Sequence, residues 1–130
     1  MSVITGGCLC GDIRYEASAP PRDTGYCHCR MCQRQSGATA LPFATFALDC
    51  FAYVRGTPQV YVSSDHGERR FCPRCSASLD YRERISPTEV SINAGTLDDP
   101  GLAAPRRHIW AESRIAWFAT ADDLPTSPQD

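Results

Sequence analysis

Apolar and polar residues alternate in short runs along most of this chain, and Gly, Pro or Asp interrupts each run. "ATALPFATFAL", "FAYVRG", "QVYVSS", "ERRFC", "ASLDYR" and "TEVSINAG" each carry the period of two that puts every second side chain on one face of a strand. Ahead of them, "VITGGCLCGDIRYEAS" reads as a hairpin. Ile13, Tyr15 and Ala17 mark its return strand, and the glycines around the cysteines allow the turn. "SAPPRDTG" reads as a loop. Cys29 to Gln35 fits one helical turn closed by Gly37, "TLDDPGLAAP" a second loop, and "RHIWAESRIAWF" a last strand with an aromatic turn. Phe43, Phe46, Tyr61, Val62, Trp110 and Trp117 are the expected core positions. The pattern predicts a mainly β domain of short antiparallel sheets with little helix. That domain is expected over residues 1–124, followed by a disordered tail, "PTSPQD", at 125–130.

A chain of 130 residues is one domain by length and can bury a modest core. No apolar stretch reaches the roughly 18 residues a membrane helix needs, so no membrane partner is expected. "MSVITGGCLCG" lacks the charged-then-apolar layout of a secretory signal, which predicts a cytoplasmic protein. The formal charge of −2 argues against nucleic acid, which favours a basic face. All 13 basic residues are arginine. The absence of lysine excludes Schiff-base and lysine-nucleophile chemistry.

The eight cysteines carry the functional signal, because in a reducing compartment cysteine pairs read as metal sites before disulfides. Cys72 and Cys75 in "FCPRC" form a C-x-x-C knuckle, which turns both thiolates toward one ion. Cys8 and Cys10 in "GGCLCG" lie among glycines that let the backbone curl around a second pair. An i, i+2 disulfide would be strained. Each pair supplies half of a four-sulfur structural zinc site that would staple the first hairpin to the second half of the chain. "GYCHCRMCQRQSG" places Cys27, Cys29 and Cys32 within six positions, close enough for one zinc at about 2.3 Å from each sulfur. A structural site would need a fourth protein ligand, whereas a catalytic one keeps a position open. Cys50, flanked by apolar residues, reads as a small buried hydrophobe. His28 lies between two ligands and should point away from their metal, and His66 reads as an exposed turn residue. His108 is the best outside candidate for the metal or its surroundings, though packing beside Trp110 suits it better. Three sulfurs and a vacancy are therefore expected.

Zinc with three thiolates keeps a net negative charge and is a weak activator of water, but it suits a further thiolate. The matching substrate is a small thiol that attacks a carbon electrophile. Arg30 and Arg34, at i and i+4, could anchor carboxylates of such a thiol, and Arg69 and Arg70 raise the same question more weakly.

"GGCLCGDIRYE", "YCHCRMCQRQSG", "RRFCPRC", "INAGTLDDP" and "HIWAESRIAWF", in this order over about residues 3 to 118, resemble the glutathione-dependent formaldehyde-activating enzyme family, which includes the centromere-protein-V domain. The resemblance implies a zinc-bound β-tent fold and two zinc ions per chain. Cys8, Cys10, Cys72 and Cys75 would hold a structural zinc, and Cys27, Cys29 and Cys32 a labile catalytic one. It also implies a carbon–sulfur lyase that joins glutathione, or a similar thiol, and an aldehyde such as formaldehyde into an S-hydroxymethyl adduct. Two departures stand out. Ser76 follows the knuckle where the family usually has glycine, and the chain is shorter than the namesake enzyme, with no legible glutathione-binding segment. Two other readings of the same residues are a non-catalytic zinc scaffold for a protein partner and a sensor that releases zinc on oxidation.

Overall fold

A computed structural model describes residues 3–130; Met1 and Ser2, which open the expected domain, lie outside the described residues. The chain is mainly β. Strands β1 (Ile4–Gly7) and β2 (Arg14–Ala17) form the expected hairpin, and β5 (Phe51–Arg55) pairs with β2 to complete a three-stranded antiparallel sheet. The second sheet has seven strands. It is built from β3 (Asp23–Cys27), β4 (Leu41–Ala47), β6 (Gln59–Val62), β7 (Gly67–Phe71), β8 (Ser78–Glu83), β9 (Glu89–Asn93) and β10 (His108–Ile109). Their order across the sheet is β10-β3-β4-β9-β8-β7-β6, antiparallel except for the parallel β10–β3 pair. The one α-helix among the described residues, α1 (Arg30–Ser36), connects β3 to β4.

The alternating residues of the sequence form the seam between the sheets. Tyr15 and Ala17 from β2 pack on Ala44 and Phe46 of β4 and on Val90 and Ile92 of β9. Phe46, Leu79, Val90 and Ile92 are fully buried, each worth about 1.5–3 kcal/mol by removal from water. Tyr15 keeps its hydroxyl satisfied inside this seam by a 2.7 Å hydrogen bond with Thr96.

Four expectations are corrected. Asp23 to Gly25, read as loop, belong to β3. The segment has no apolar alternation of its own; its pairing with Phe43–Thr45 of β4, a bond from the Arg106 amide to Thr24 O and the ion pair from Arg107 to Asp23 make it a strand. The final strand stops after Ile109, because Trp110 takes a left-handed backbone (φ 55°, ψ 37°) and a 3-10 turn over Ala111–Ser113 follows. Tyr61 and Val62 are exposed on the edge strand β6, not core, and Trp110 and Trp117 are also exposed. The segment expected as a disordered tail runs beside β10. The His108 amide donates to Pro125 O at 2.8 Å, the Ser127 amide to His108 O at 2.9 Å, and the Ala111 amide to Ser127 O at 3.0 Å. Backbone groups left open at the sheet edge supply those partners.

Candidate metal centres and the cavity beside them

The turn after β1 presents Cys8 and Cys10, and the turn after β7 presents Cys72 and Cys75. Their four sulfurs lie within 4.8 Å of one another. Cys8 Sγ is 3.6 Å from Cys10 Sγ, which is 3.8 Å from Cys72 Sγ. A tetrahedron with metal–sulfur bonds of about 2.3 Å has edges of about 3.8 Å, so these separations fit a tetrahedral thiolate-bound ion such as zinc. Amides already converge on the sulfurs. Ile13 N–H donates to Cys8 Sγ at 3.2 Å, and the N–H groups of Arg74 and Cys75 donate to Cys72 Sγ at 3.4 Å each. Donation from the Ala77 and Cys10 backbones draws the Cys75 thiol down to about 6. Against a bond from the Asp12 backbone, burial and the neighbouring sulfurs push Cys10 the other way, to about 11, so the four thiols do not all ionise easily without a cation. The group bridges the two sheets and is packed by Ile13, Leu79 and Tyr53. Ser76, in the position the family usually gives to glycine, has a left-handed backbone (φ 68°), and its amide donates to Cys72 O at 2.9 Å.

Cys27, at the end of β3, meets Cys29 and Cys32 around the start of α1, again with all three sulfurs inside 4.8 Å. Cys29 is the helix N-cap: its Sγ accepts the Cys32 amide at 3.3 Å. Gly37 ends the helix in the left-handed conformation that only glycine adopts cheaply (φ 75°). Three sulfurs this close cannot share negative charge evenly without a cation. Bonding from Cys27 and Cys32 holds the Cys29 thiol down to about 2, whereas its neighbours' sulfurs and burial push Cys27 far up. No cysteine is in a disulfide among the described residues. Cys50 is half-buried and joins neither group, and His66 is exposed in its turn.

The three-sulfur group is held from behind. His28 is fully buried and turns inward, where its Nε2 pairs with His108 Nδ1 at 2.8 Å; His108 Nε2 in turn meets Asp122 Oδ1 at 3.1 Å. Tyr26 stacks on His108 with ring centroids 5.1 Å apart. Burial, then the Arg114 and His108 charges, lower His28 to about 4 and keep its ring neutral. Gln33 Nε2 bonds His28 O at 2.7 Å and Ser113 O at 3.1 Å, tying helix, cysteine turn and C-terminal segment together. His108 therefore supports the cysteine turn and is not among the candidate ligands.

In front of the three sulfurs lies a cavity of about 450 Å³. Arg69, on β7, reaches it from the opposite side of the large sheet. Its guanidinium, 4 % exposed, points both terminal nitrogens at Cys32 Sγ (3.7 and 3.6 Å) and stacks 5.1 Å from the centre of the Tyr81 ring. Its Nε has no partner. Arg30 lies at the rim, bonded to Gln33 Oε1, while Arg34 is exposed and does not line the cavity. Arg70 faces elsewhere, toward Glu68 and Asp80. The sequence pointed to Arg69 only weakly. Its one available signal was the two arginines in a strand directly before the knuckle, where alternation must send one of them inward.

Two sheets clamped by one sulfur tetrad, with a second sulfur triad opening on a cavity, define a small cysteine-rich β protein whose two clusters could each hold a metal ion. The model of the family described as glutathione-dependent formaldehyde-activating enzyme matches residues 3–113, and the chain belongs to that family. Over 124 residues it is 25 % identical to a Halomonas elongata protein provisionally named a glutathione-dependent formaldehyde-activating enzyme, a match covering 88 % of this chain and 79 % of that one. It also resembles the crystal structure of a Rhodobacter sphaeroides protein, with a TM-score of 0.59 and 27 % identity over 72 % of this chain and 87 % of that one. No helix among the described residues is long and apolar enough to cross a membrane.

Proposed function

We propose that the protein joins a small thiol and an aldehyde into an S-hydroxyalkyl adduct, a reversible carbon–sulfur lyase reaction. The observation that carries this reading is the three-sulfur group open to a cavity that also holds a buried, incompletely bonded arginine. Cys8, Cys10, Cys72 and Cys75 would hold a structural zinc, and Cys27, Cys29 and Cys32 a second, exchangeable one. Bound there, zinc would supply the positive charge that lets an incoming thiol lose its proton near neutral pH.

The remaining work falls to side chains. Arg69 offsets the negative charge collected on the sulfurs, and its guanidinium, part of the cavity lining, would stabilise an oxygen that gains charge as the carbonyl is attacked. Leu41, Phe43 and Ile109 exclude water from one side of the cavity, which strengthens that interaction. Among the described residues, none of those lining the cavity is an acid or a histidine placed to move the thiol's proton, so solvent takes it. Glutathione and formaldehyde are the pair the family's description names.

The test follows adduct exchange by NMR with glutathione and formaldehyde in the presence of zinc-loaded protein. Exchange faster than the spontaneous reaction, lost in Cys29→Ser while Cys50→Ser keeps it, is the expected result. Exchange at the buffer rate would refute the reading. Metal analysis should give two zinc ions per chain, and a competing chelator should remove the second first.

A further inference from the structure

Formaldehyde has two non-hydrogen atoms, and a cavity of about 450 Å³ is far larger than it requires. The lining is divided. Leu41, Phe43, Ile109, Met31 and Trp110 make up its apolar part, while Arg69, Tyr81, Ser91 and Asn93 contribute polar groups. No acidic side chain lines it, so the ammonium group of glutathione would find no counter-charge inside. Trp110 is the most informative of these residues. It holds φ 55°, a conformation that bulky side chains rarely occupy and that persists only where surrounding bonds impose it. Those bonds are present: Trp110 N–H donates to Gln129 O, Ser113 N–H to Trp110 O at 3.0 Å, and Ala111 N–H to Ser127 O at 3.0 Å. They turn a 37 %-exposed indole to the cavity instead of letting β10 run on.

Resting on the thiol–aldehyde reading above, we propose that the electrophile is an aldehyde bearing an aromatic or branched alkyl group. Its substituent lies on the Trp110–Leu41–Phe43 wall, and its carbonyl oxygen faces Arg69. The thiol enters with its sulfur at the cysteine group and its charged ends at the rim beside Arg30. The thiolate sulfur attacks the carbonyl carbon, a carbon–sulfur bond forms, and the carbonyl π pair moves onto oxygen. That oxygen takes up one proton from solvent, equal to the one the thiol released, so nothing is oxidised or reduced. The Arg69 guanidinium stabilises the oxygen as its charge grows.

The experiment measures acceleration over the spontaneous rate for glutathione with benzaldehyde, 3-methylbutanal and formaldehyde. In parallel it measures binding of benzyl alcohol, a near-isostere without the carbonyl, by saturation-transfer NMR. Acceleration for benzaldehyde at least about tenfold above that for formaldehyde is expected, the size of discrimination an apolar pocket can give. Benzyl alcohol should bind saturably. Trp110→Gly, which tolerates the positive φ and removes only the indole, should bring the two aldehydes within about threefold and weaken the alcohol by a similar factor. Met31→Ala, a change at the exposed rim, should act in the same direction. Acceleration confined to formaldehyde, or acceleration without binding of benzyl alcohol, would overturn the substrate assignment and leave the thiol–aldehyde reading in place. Binding of the alcohol with no acceleration for any aldehyde would overturn both.

Discussion

Replacing Arg69 with methionine keeps most of the buried stem and removes the cation. The guanidinium nitrogens stand 3.6 and 3.7 Å from Cys32 Sγ. At that separation, with an effective dielectric constant near 20, the gross attraction is about 4–5 kcal/mol. Water entering the adjoining cavity replaces part of it, and hydrogen bonds to charged groups are worth about 1.5–3 kcal/mol net. A loss of about 2–3 kcal/mol at the three-sulfur group follows, which is roughly 30- to 150-fold in metal affinity. Zinc competition against a chromophoric chelator reads this directly, and the four-sulfur group serves as an internal reference because Arg69 makes no hydrogen bond to it. Only the weaker binding step should move. Arg69→Lys should fall between wild type and Arg69→Met, because an ammonium keeps the charge but loses the fork. Unchanged affinity in a folded Arg69→Met protein, or an equal loss at both groups, would refute the reasoning.

Ser76→Gly should raise stability by about 0.5–1 kcal/mol, read as a higher urea midpoint, since a left-handed backbone penalises any residue with a Cβ. Gly25→Ala should lower it by about 1–3 kcal/mol: a Cβ there would stand 2.7 Å from Arg107 O and 3.0 Å from Phe43 Cζ, where the backbone oxygen cannot yield. The bonds from Arg14 and Thr5 lower the Asp98 carboxyl to about 2, so the folded state gains from its ionisation above the ordinary carboxylate range and loses that gain as pH falls from about 4 toward 2. Solvent weakens this half-exposed pair to below about 1 kcal/mol, and the gap between wild type and Asp98→Asn in urea melts should be widest at pH 7 and close at pH 2. Asp122→Asn should leave the four-sulfur group unaffected and speed zinc loss from the other, measured by chelator kinetics, because it loosens His108 behind His28.

Spacing alone paired Cys8 and Cys10 with Cys72 and Cys75, and grouped Cys27 with Cys29 and Cys32, since ligands two or three residues apart can face one ion only through a tight turn. The strands from β4 to β9 were similarly legible because their apolar positions alternate. What stayed hidden depends on partners distant in the chain. Nothing in "PRDTG" announces a strand until β4 lies along one side of it and Arg106 and Arg107 along the other. The His28–His108 contact spans 80 positions, and its anchor Asp122 lies beyond the residues the family model matches. Tyr61 and Val62 alternate as a strand should, but periodicity does not tell a central strand from an edge. The twist at Trp110 was illegible for a different reason: residue type argues against it, and the neighbouring carbonyls impose it.

The His28–His108–Asp122 chain gives the two sulfur groups different histories during synthesis. Once Cys75 has left the ribosome, every thiol of both groups is available, and the tetrad has all it needs to close. The triad has its sulfurs from Cys32 onward, yet the prop behind His28 arrives only with residue 122. A metal captured earlier would sit on an unbraced turn, freer to leave or be exchanged until Asp122 has emerged and His108 can brace His28.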